Sequence, residues 1–283
     1  MNGYGNGHGN GHGISNTVNT GDADPPPPPD SSTLPLPRIL CLHGGGTNSS
    51  IFYMQCRSLS LHLKSQFRLV FAVASFPSTP GPDVLSVYAD CGPFKRWVYS
   101  TAPNAVEEKP KETWDAIENQ IGDAMDADDK LGATGDFVAV LGFSQGAKVA
   151  ASILLRQQER PGAMGRVGRS EAGFRFGVLM AGRGPLLAYD PDNASWLGND
   201  ERFDYDSNVA AKRLLRIPTI HVHGLQDPGL GFHQVLLEEW CDPRTTTLVE
   251  WEGNHRLPIK TLDVKLVVDK IRDVAVRTGV QLK

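Results

Sequence analysis

The chain has 283 residues and a mass of 30.7 kDa, with 28 Lys and Arg against 32 Asp and Glu, 40% hydrophobic residues and a formal charge of −4. That balance disfavours nucleic acid or any other polyanion as a partner, and the composition is that of a globular protein, neither collagen-like nor a charged disordered chain. The longest apolar runs, such as Leu69 to Phe76, fall far short of the roughly 18 residues that span a bilayer, and no basic-then-apolar leader opens the chain, so a cytoplasmic protein is expected.

Residues 1–37 hold seven glycines, seven prolines and no Lys or Arg, and setting them aside leaves 28 basic against 29 acidic residues. The Gly/Asn/His repeat at 5–13 and the run Pro25 to Pro29 lack apolar side chains to offset the entropy of ordering, so 1–37 is expected to be a disordered Gly/His/Pro-rich tail. Its G-x-G-x-x-G-like spacing follows no strand, which removes the dinucleotide-binding reading. Residues 38–283 then form one domain.

From Pro37 onward short apolar runs alternate with helical patterns, the signature of parallel strands covered by helices. The first strand, 38–43, runs into His43-Gly44-Gly45-Gly46, a glycine-rich turn without the lysine of a phosphate-binding loop. His43 reads as a structural hydrogen-bonder of that turn. A helix over 50–64 and a strand over 67–74 follow. The segment 76–112 is irregular and rich in Pro, Gly and aromatics, and helix 113–128 leads to the third strand, 136–142. Further strands are expected at 174–181, 217–223 and 245–251, with helices at 145–158, 232–240 and 261–277. A second irregular stretch covers 182–210. The fold class is therefore α/β, a mostly parallel central sheet of about six strands flanked by helices. Both irregular stretches follow strand C-termini, where such sheets bind ligands, and they read as pocket walls or a lid.

The chemistry sits where the third strand ends in Gly142-Phe143-Ser144-Gln145-Gly146 and passes at once into a helix. In a chain with 30 glycines the five-residue G-x-S-x-G pattern is weakly specific. Its strand-to-helix context raises it: the serine occupies a strained turn, the glycines let neighbouring backbones approach, and the helix N-terminus favours negative charge. Ser144 is the expected nucleophile. The amide of Gln145 is one expected oxyanion donor, and the amide of Gly45 in the first loop is the other.

A serine hydroxyl needs a base, and the base needs a carboxylate to orient it. His221 and His223 lie inside a strand, and His62 and His233 fall in helical patterns. His255 instead sits on a Gly-containing loop directly after the last strand, free to reach back to the turn, and is the expected general acid/base. Asp227, in the turn between Gly224 and Pro228, is the expected orienting carboxylate. Its rival Asp242 precedes the last strand and belongs at the opposite edge of the sheet. The order Ser144, Asp227, His255 is that of an α/β-hydrolase. Neither cofactor nor metal is required. Cys41, Cys56, Cys91 and Cys241 show no C-x-x-C pairing and are expected to be reduced, buried thiols.

Taken together, Leu42-His-Gly-Gly, Gly142-Phe-Ser-Gln-Gly, Gly224-Leu-Gln-Asp, Gly253-Asn-His and the aromatic stretch Tyr88 to Trp97 resemble the fungal serine hydrolases, a branch of the α/β-hydrolase fold, over about residues 38–277. The resemblance implies a serine esterase or thioesterase, and among its members are enzymes that release polyketide acyl chains from a carrier protein in fungal secondary metabolism. On that expectation Phe94, Trp97, Trp114 and Trp196 are candidate walls of an acyl pocket, and Lys95, Arg96, Arg183 and Arg256 are candidates for receiving an acidic acyl carrier protein. A general short-chain carboxylesterase is the alternative. Two further alternatives are use of the same triad for cyclisation or C–C bond cleavage, and a non-catalytic binding protein that keeps the fold.

Overall fold

The computed structural model describes residues 30–98, 109–159, 173–187, 189–190, 195–196 and 214–282. Its strands and helices, in chain order, are β1 (Arg38–Leu42), α1 (Ser49–Gln55), α2 (Arg57–Leu63), β2 (Arg68–Ala72), β3 (Phe76–Pro77), α3 (Leu85–Tyr88), β4 (Lys95–Arg96), α4 (Pro110–Lys130), β5 (Phe137–Phe143), α5 (Gln145–Glu159), β6 (Phe176–Met180), β7 (Tyr189–Asp190), β8 (Ser195–Trp196), β9 (Thr219–Gly224), α6 (Leu230–Trp240), β10 (Thr246–Trp251) and α7 (Thr261–Arg277). Six strands make one sheet in the order β10-β9-β6-β5-β1-β2, every neighbouring pair parallel.

The sheet is apolar on both faces because it is covered on both. Along β1, Ile39 and Cys41 enter one core with Phe52, Leu59, Leu63, Val267 and Ile271, while Leu40 and Leu42 enter the other with Ile117, Ile121, Val149 and Leu154. The two-residue side-chain period thus places α1, α2 and α7 on one face and α4 and α5 on the other. All six expected strands form, each within two or three residues of its expected ends.

Three expectations change in detail. The single helix over 50–64 is two helices, because the backbone at Cys56 flattens to ψ 0° while the stripe Phe52, Cys56, Leu59, Leu63 runs on through the break into the core. Cys41, Cys56 and Cys241 are buried, but Cys91 is only half-buried on the loop before β4. Residues 30–37, assigned to the tail, are packed: Asp30 caps a short 3-10 turn at Ser31–Thr33, Thr33 and Leu36 are buried, and Thr33 Oγ1 accepts a hydrogen bond from Arg68 at 2.8 Å. The rest of the expected tail, 1–29, lies outside the described residues.

The N-terminal edge of the sheet is held by charge. Arg38 and Arg68, the first residues of β1 and β2, converge on Asp128 near the end of α4, with Arg68 Nε donating at 2.9 Å and Arg38 Nη1 at 3.3 Å. All three are buried. The C-terminal edge is left for the loops that carry the candidate residues.

Candidate active site

Ser144 follows the last residue of β5 and precedes the first of α5, at φ 53°, in the left-handed region that costs an L-residue energy. Its amide donates to Met180 O at 2.8 Å, which fixes the turn against β6. The flanking glycines are required by contact: a Cβ on Gly142 would strike the carbonyl of Gly146, and one on Gly146 would strike the carbonyls of Leu42 and His43. These close approaches push the serine out of the sheet edge.

His255 lies in the turn after β10, and Asp227 in the turn after β9. The two turns are stitched together, Leu225 N–H to Trp251 O at 3.0 Å and Gln226 N–H to Gly253 O at 2.8 Å, with Gly224 lying so near Gly253 and Asn254 that a side chain there would meet their carbonyls at 2.5 and 2.7 Å. Through this pairing His255 Nδ1 donates to Asp227 Oδ2 at 2.6 Å, and Ser144 Oγ donates to His255 Nε2 at 3.0 Å. Asp227 Oδ1 accepts the amide of Gly229 at 2.7 Å. Burial works to raise the Asp227 pKa, but the Gly229 amide and His255 outweigh it and hold the carboxyl below its ordinary value. The carboxylate is therefore ionised and its acceptor aimed at the imidazole. Asp242, the rival, pairs with Arg244 at 2.6 Å beside the start of β10, at the other end of the strand.

The loop after β1 is held by a set of hydrogen bonds. His43 Nε2 accepts the amide of Ala74 at 3.0 Å, so its proton sits on Nδ1, which donates to Gly44 O at 2.7 Å. Burial drives the His43 pKa down to about 4, and the ring is neutral. Trp97 Nε1 donates to His43 O at 2.8 Å, and the Trp97 amide donates to Gln145 Oε1 at 2.7 Å. The amide of Gly46 is taken by Lys95 O at 2.9 Å. The amides of Gly45 and Gln145 have no acceptor among the described residues, and an ideal Cβ on Gly45 would sit 3.4 Å from the Gln145 side chain. Both residues flank the turn that carries Ser144 from neighbouring loops.

The remaining expected residues are not gathered in the same way. Trp97 and Trp114 are each 1% exposed and are core side chains, Trp97 anchoring the β1 loop and Trp114 donating to Glu118 Oε1 at 2.7 Å beneath Arg156. Trp97 is packed because the aromatic-rich segment folds inward over the β1 loop, and Trp114 because it lies on the sheet-facing side of α4 with Ile117 and Ile121. Phe94 is half-buried beside β4. Trp196 pairs through its backbone with Tyr189 in a two-stranded ribbon, and its side chain lies outside the described residues. Lys95 and Arg96 are half-buried in β4, paired with Pro77 and Phe76. Arg183 and Arg256 are exposed on different loops, Arg183 lying 5.1 Å over the Phe232 ring and Arg256 standing 3.9 Å from Asp83.

Behind Asp227 lies a file of buried histidines that sequence reasoning set aside. Ring centroids run 6.0 Å from His221 to His223, 5.6 Å to His233 and 6.0 Å to His255. Burial lowers the pKa of His221 to about 3 and those of His223 and His233 to about 4. The two-residue spacing of His221 and His223 placed both on one face of β9, but only the docking of α6 brings His233 to them.

A family model described as "Serine hydrolase (FSH1)" matches residues 33–267. The chain is 50% identical over 264 residues to esterase pigG of Monascus ruber, covering 89% of this chain and 96% of that one. It is 49% identical over 256 residues to the probable esterase azaC of Aspergillus niger, covering 90% and 91%. Among solved structures, an esterase of Rhizomucor miehei superposes with a TM-score of 0.50 at 16% identity, over 89% of this chain and 79% of the other, a likeness of fold. Among the described residues no helix is long and apolar enough to cross a membrane.

Proposed function

The chain belongs to the FSH1 serine hydrolase family, and from that premise we propose that Ser144, His255 and Asp227 cleave an acyl ester or thioester through an acyl-enzyme. One observation carries the proposal: the unbroken line of hydrogen bonds from Ser144 Oγ to His255 Nε2 at 3.0 Å and from His255 Nδ1 to Asp227 Oδ2 at 2.6 Å. In the first step Ser144 Oγ attacks the acyl carbonyl as His255 Nε2 takes its proton. The amides of Gln145 and Gly45 hold the oxyanion, and Asp227 stabilises the imidazolium. His255 then protonates the departing alkoxide or thiolate. Water, deprotonated by the same ring, releases the acid in the second step.

The substrate we propose is a polyketide or related acyl chain carried as a thioester on an acyl carrier protein in secondary metabolism, in the cytoplasm. The resemblance of the motif set to the fungal hydrolases supports this. Phe94 and Trp196 are the pocket residues offered by the loops, and Arg183 and Arg256, with Lys95 and Arg96, the cations offered to the acidic carrier. A short-chain carboxylesterase is the second reading, favoured by the word esterase in the names of the relatives.

The test is hydrolysis of acyl-matched pairs, each an oxygen ester and a pantetheine thioester, by wild-type and Ser144→Ala protein. A thioester preference that grows with chain length supports carrier-bound release; efficient turnover of short oxygen esters supports the second reading. Wild-type rates in Ser144→Ala would overturn the assignment of the nucleophile. A cyclic or carbon–carbon cleaved product would replace hydrolysis with another use of the triad.

A further inference from the structure

His233 is the least satisfied polar group in the described structure. It is 0% exposed, and neither ring nitrogen has a hydrogen-bond partner. Buried imidazoles are normally bonded through at least one nitrogen, so an unpartnered one calls for a function or an occupant. Its Nε2 faces Asp227 Oδ2 at 3.7 Å, too far for a hydrogen bond. On the other side of that oxygen stands His255 Nδ1 at 2.6 Å. One ligand atom from each of Asp227, His233 and His255 lies within 4.8 Å of the others.

We propose that Asp227, His233 and His255 form a site for a borderline divalent transition metal, Zn²⁺ above all, whose binding reversibly switches the hydrolase off. Two imidazoles and one carboxylate are the donor set that prefers Zn²⁺ or Cu²⁺ to Mg²⁺ or Ca²⁺. Tetrahedral zinc places neighbouring ligand atoms about 3.3 Å apart. The separations from Asp227 Oδ2, 2.6 and 3.7 Å, lie on either side of that value, and all three ligand atoms lie within 4.8 Å of one another, so adjustment of the three side chains gathers them about one ion. The His255 ring, 27% exposed, provides the approach. The ion takes the Nδ1 lone pair of His255, whose ring stays neutral with its single proton moved from Nδ1 to Nε2, and no covalent bond to carbon changes. With Nδ1 on the metal and the ring proton on Nε2, His255 has no lone pair left to take the Ser144 proton, and Ser144 loses its activation.

The inhibition rests on the hydrolase reading above; the binding does not, and the two are measured separately. Zn²⁺, and Co²⁺ as a coloured probe, are titrated into full-length Ser144→Ala and Ser144→Ala/His233→Leu, both with His8→Ala and His12→Ala to remove the paired histidines of the N-terminal repeat. Tight one-to-one binding, with the visible bands of tetrahedral Co²⁺, is expected in the first protein and at least about tenfold weaker binding in the second. In parallel, Zn²⁺ inhibition of wild type, His233→Leu and His233→Gln is read against each protein's own metal-free rate, and both variants are expected to need at least about tenfold more Zn²⁺. Equal Zn²⁺ affinity with and without His233, or no binding to Ser144→Ala, would overturn the site. Binding that depends on His233 without any hydrolysis of the test esters would instead keep the site and remove the hydrolase reading.

Discussion

The amide of Trp97 donates to the side-chain carbonyl of Gln145 at 2.7 Å, tying the loop after β4 to the residue that follows the nucleophile. The same tryptophan holds His43 O through its indole at 2.8 Å. One buried residue therefore joins the β1 loop to the residue after Ser144, the two stretches whose amides are proposed to hold the oxyanion.

If that tie matters, Gln145→Ala leaves the backbone amide in place but frees the loop. We expect kcat to fall by about tenfold, short of the roughly 10²- to 10³-fold loss that follows deletion of an oxyanion donor. Gln145→Glu retains an acceptor for the Trp97 amide and is expected to lose less. Steady-state kinetics on one ester decide it, and equal kcat in Gln145→Ala and wild type would show that the tie is structural only.

Asp227→Asn keeps the shape of the turn but favours the wrong tautomer of His255, since the amide has a donor that can face Nδ1. A fall in kcat of about 10³- to 10⁴-fold is expected, with KM little changed. Near-normal kcat would move the orienting role to another carboxylate.

Stability should depend on pH with a definite sign. His43, His221, His223 and His233 have folded pKa values of about 4, 3, 4 and 4, below the ordinary 6.5. Between pH 6.5 and about 4 the unfolded chain binds protons at these positions and the folded chain does not, so stability is full above pH 6.5 and falls as pH drops. Each histidine contributes a slope on the order of 1 kcal/mol per pH unit in that window. Asp227, held low in the folded state, adds a loss of the same sign at more acid pH. Urea midpoints at pH 7.5 and 5.5 measure the effect, and a flat profile would contradict the neutral burial of the four rings.

At the opposite edge of the sheet, Asp128→Ala leaves the buried Arg68 guanidinium without a carboxylate and Arg38 paired with Asp129 alone. A destabilisation of about 3 kcal/mol is expected, with kcat retained at temperatures where the protein stays folded. Urea unfolding and kinetics on the same preparation separate the two.

The sheet, and the strand ends that bring Ser144, Asp227 and His255 to one edge, were legible in the residue pattern alone. Runs such as Phe137 to Phe143 are buried on both faces, and their continuous apolar pattern marks a central parallel strand. Gly142 and Gly146 mark the turn because contacts at both positions exclude a side chain. Ser144, Asp227 and His255 each follow a strand end, and in a parallel sheet all strand ends face one edge. That the Gly46 amide is taken was not legible: its acceptor is Lys95 O, about fifty residues later. The burial of Trp97 was hidden for a related reason, since an aromatic in an irregular segment reads alike whether the segment folds inward or lines a pocket, whereas Trp114 is buried with Ile117 and Ile121 on the sheet-facing side of α4. The histidine file belongs wholly to tertiary structure. It requires the docking of α6 against the turn after β9, and no local pattern encodes the 3.7 Å between His233 and Asp227.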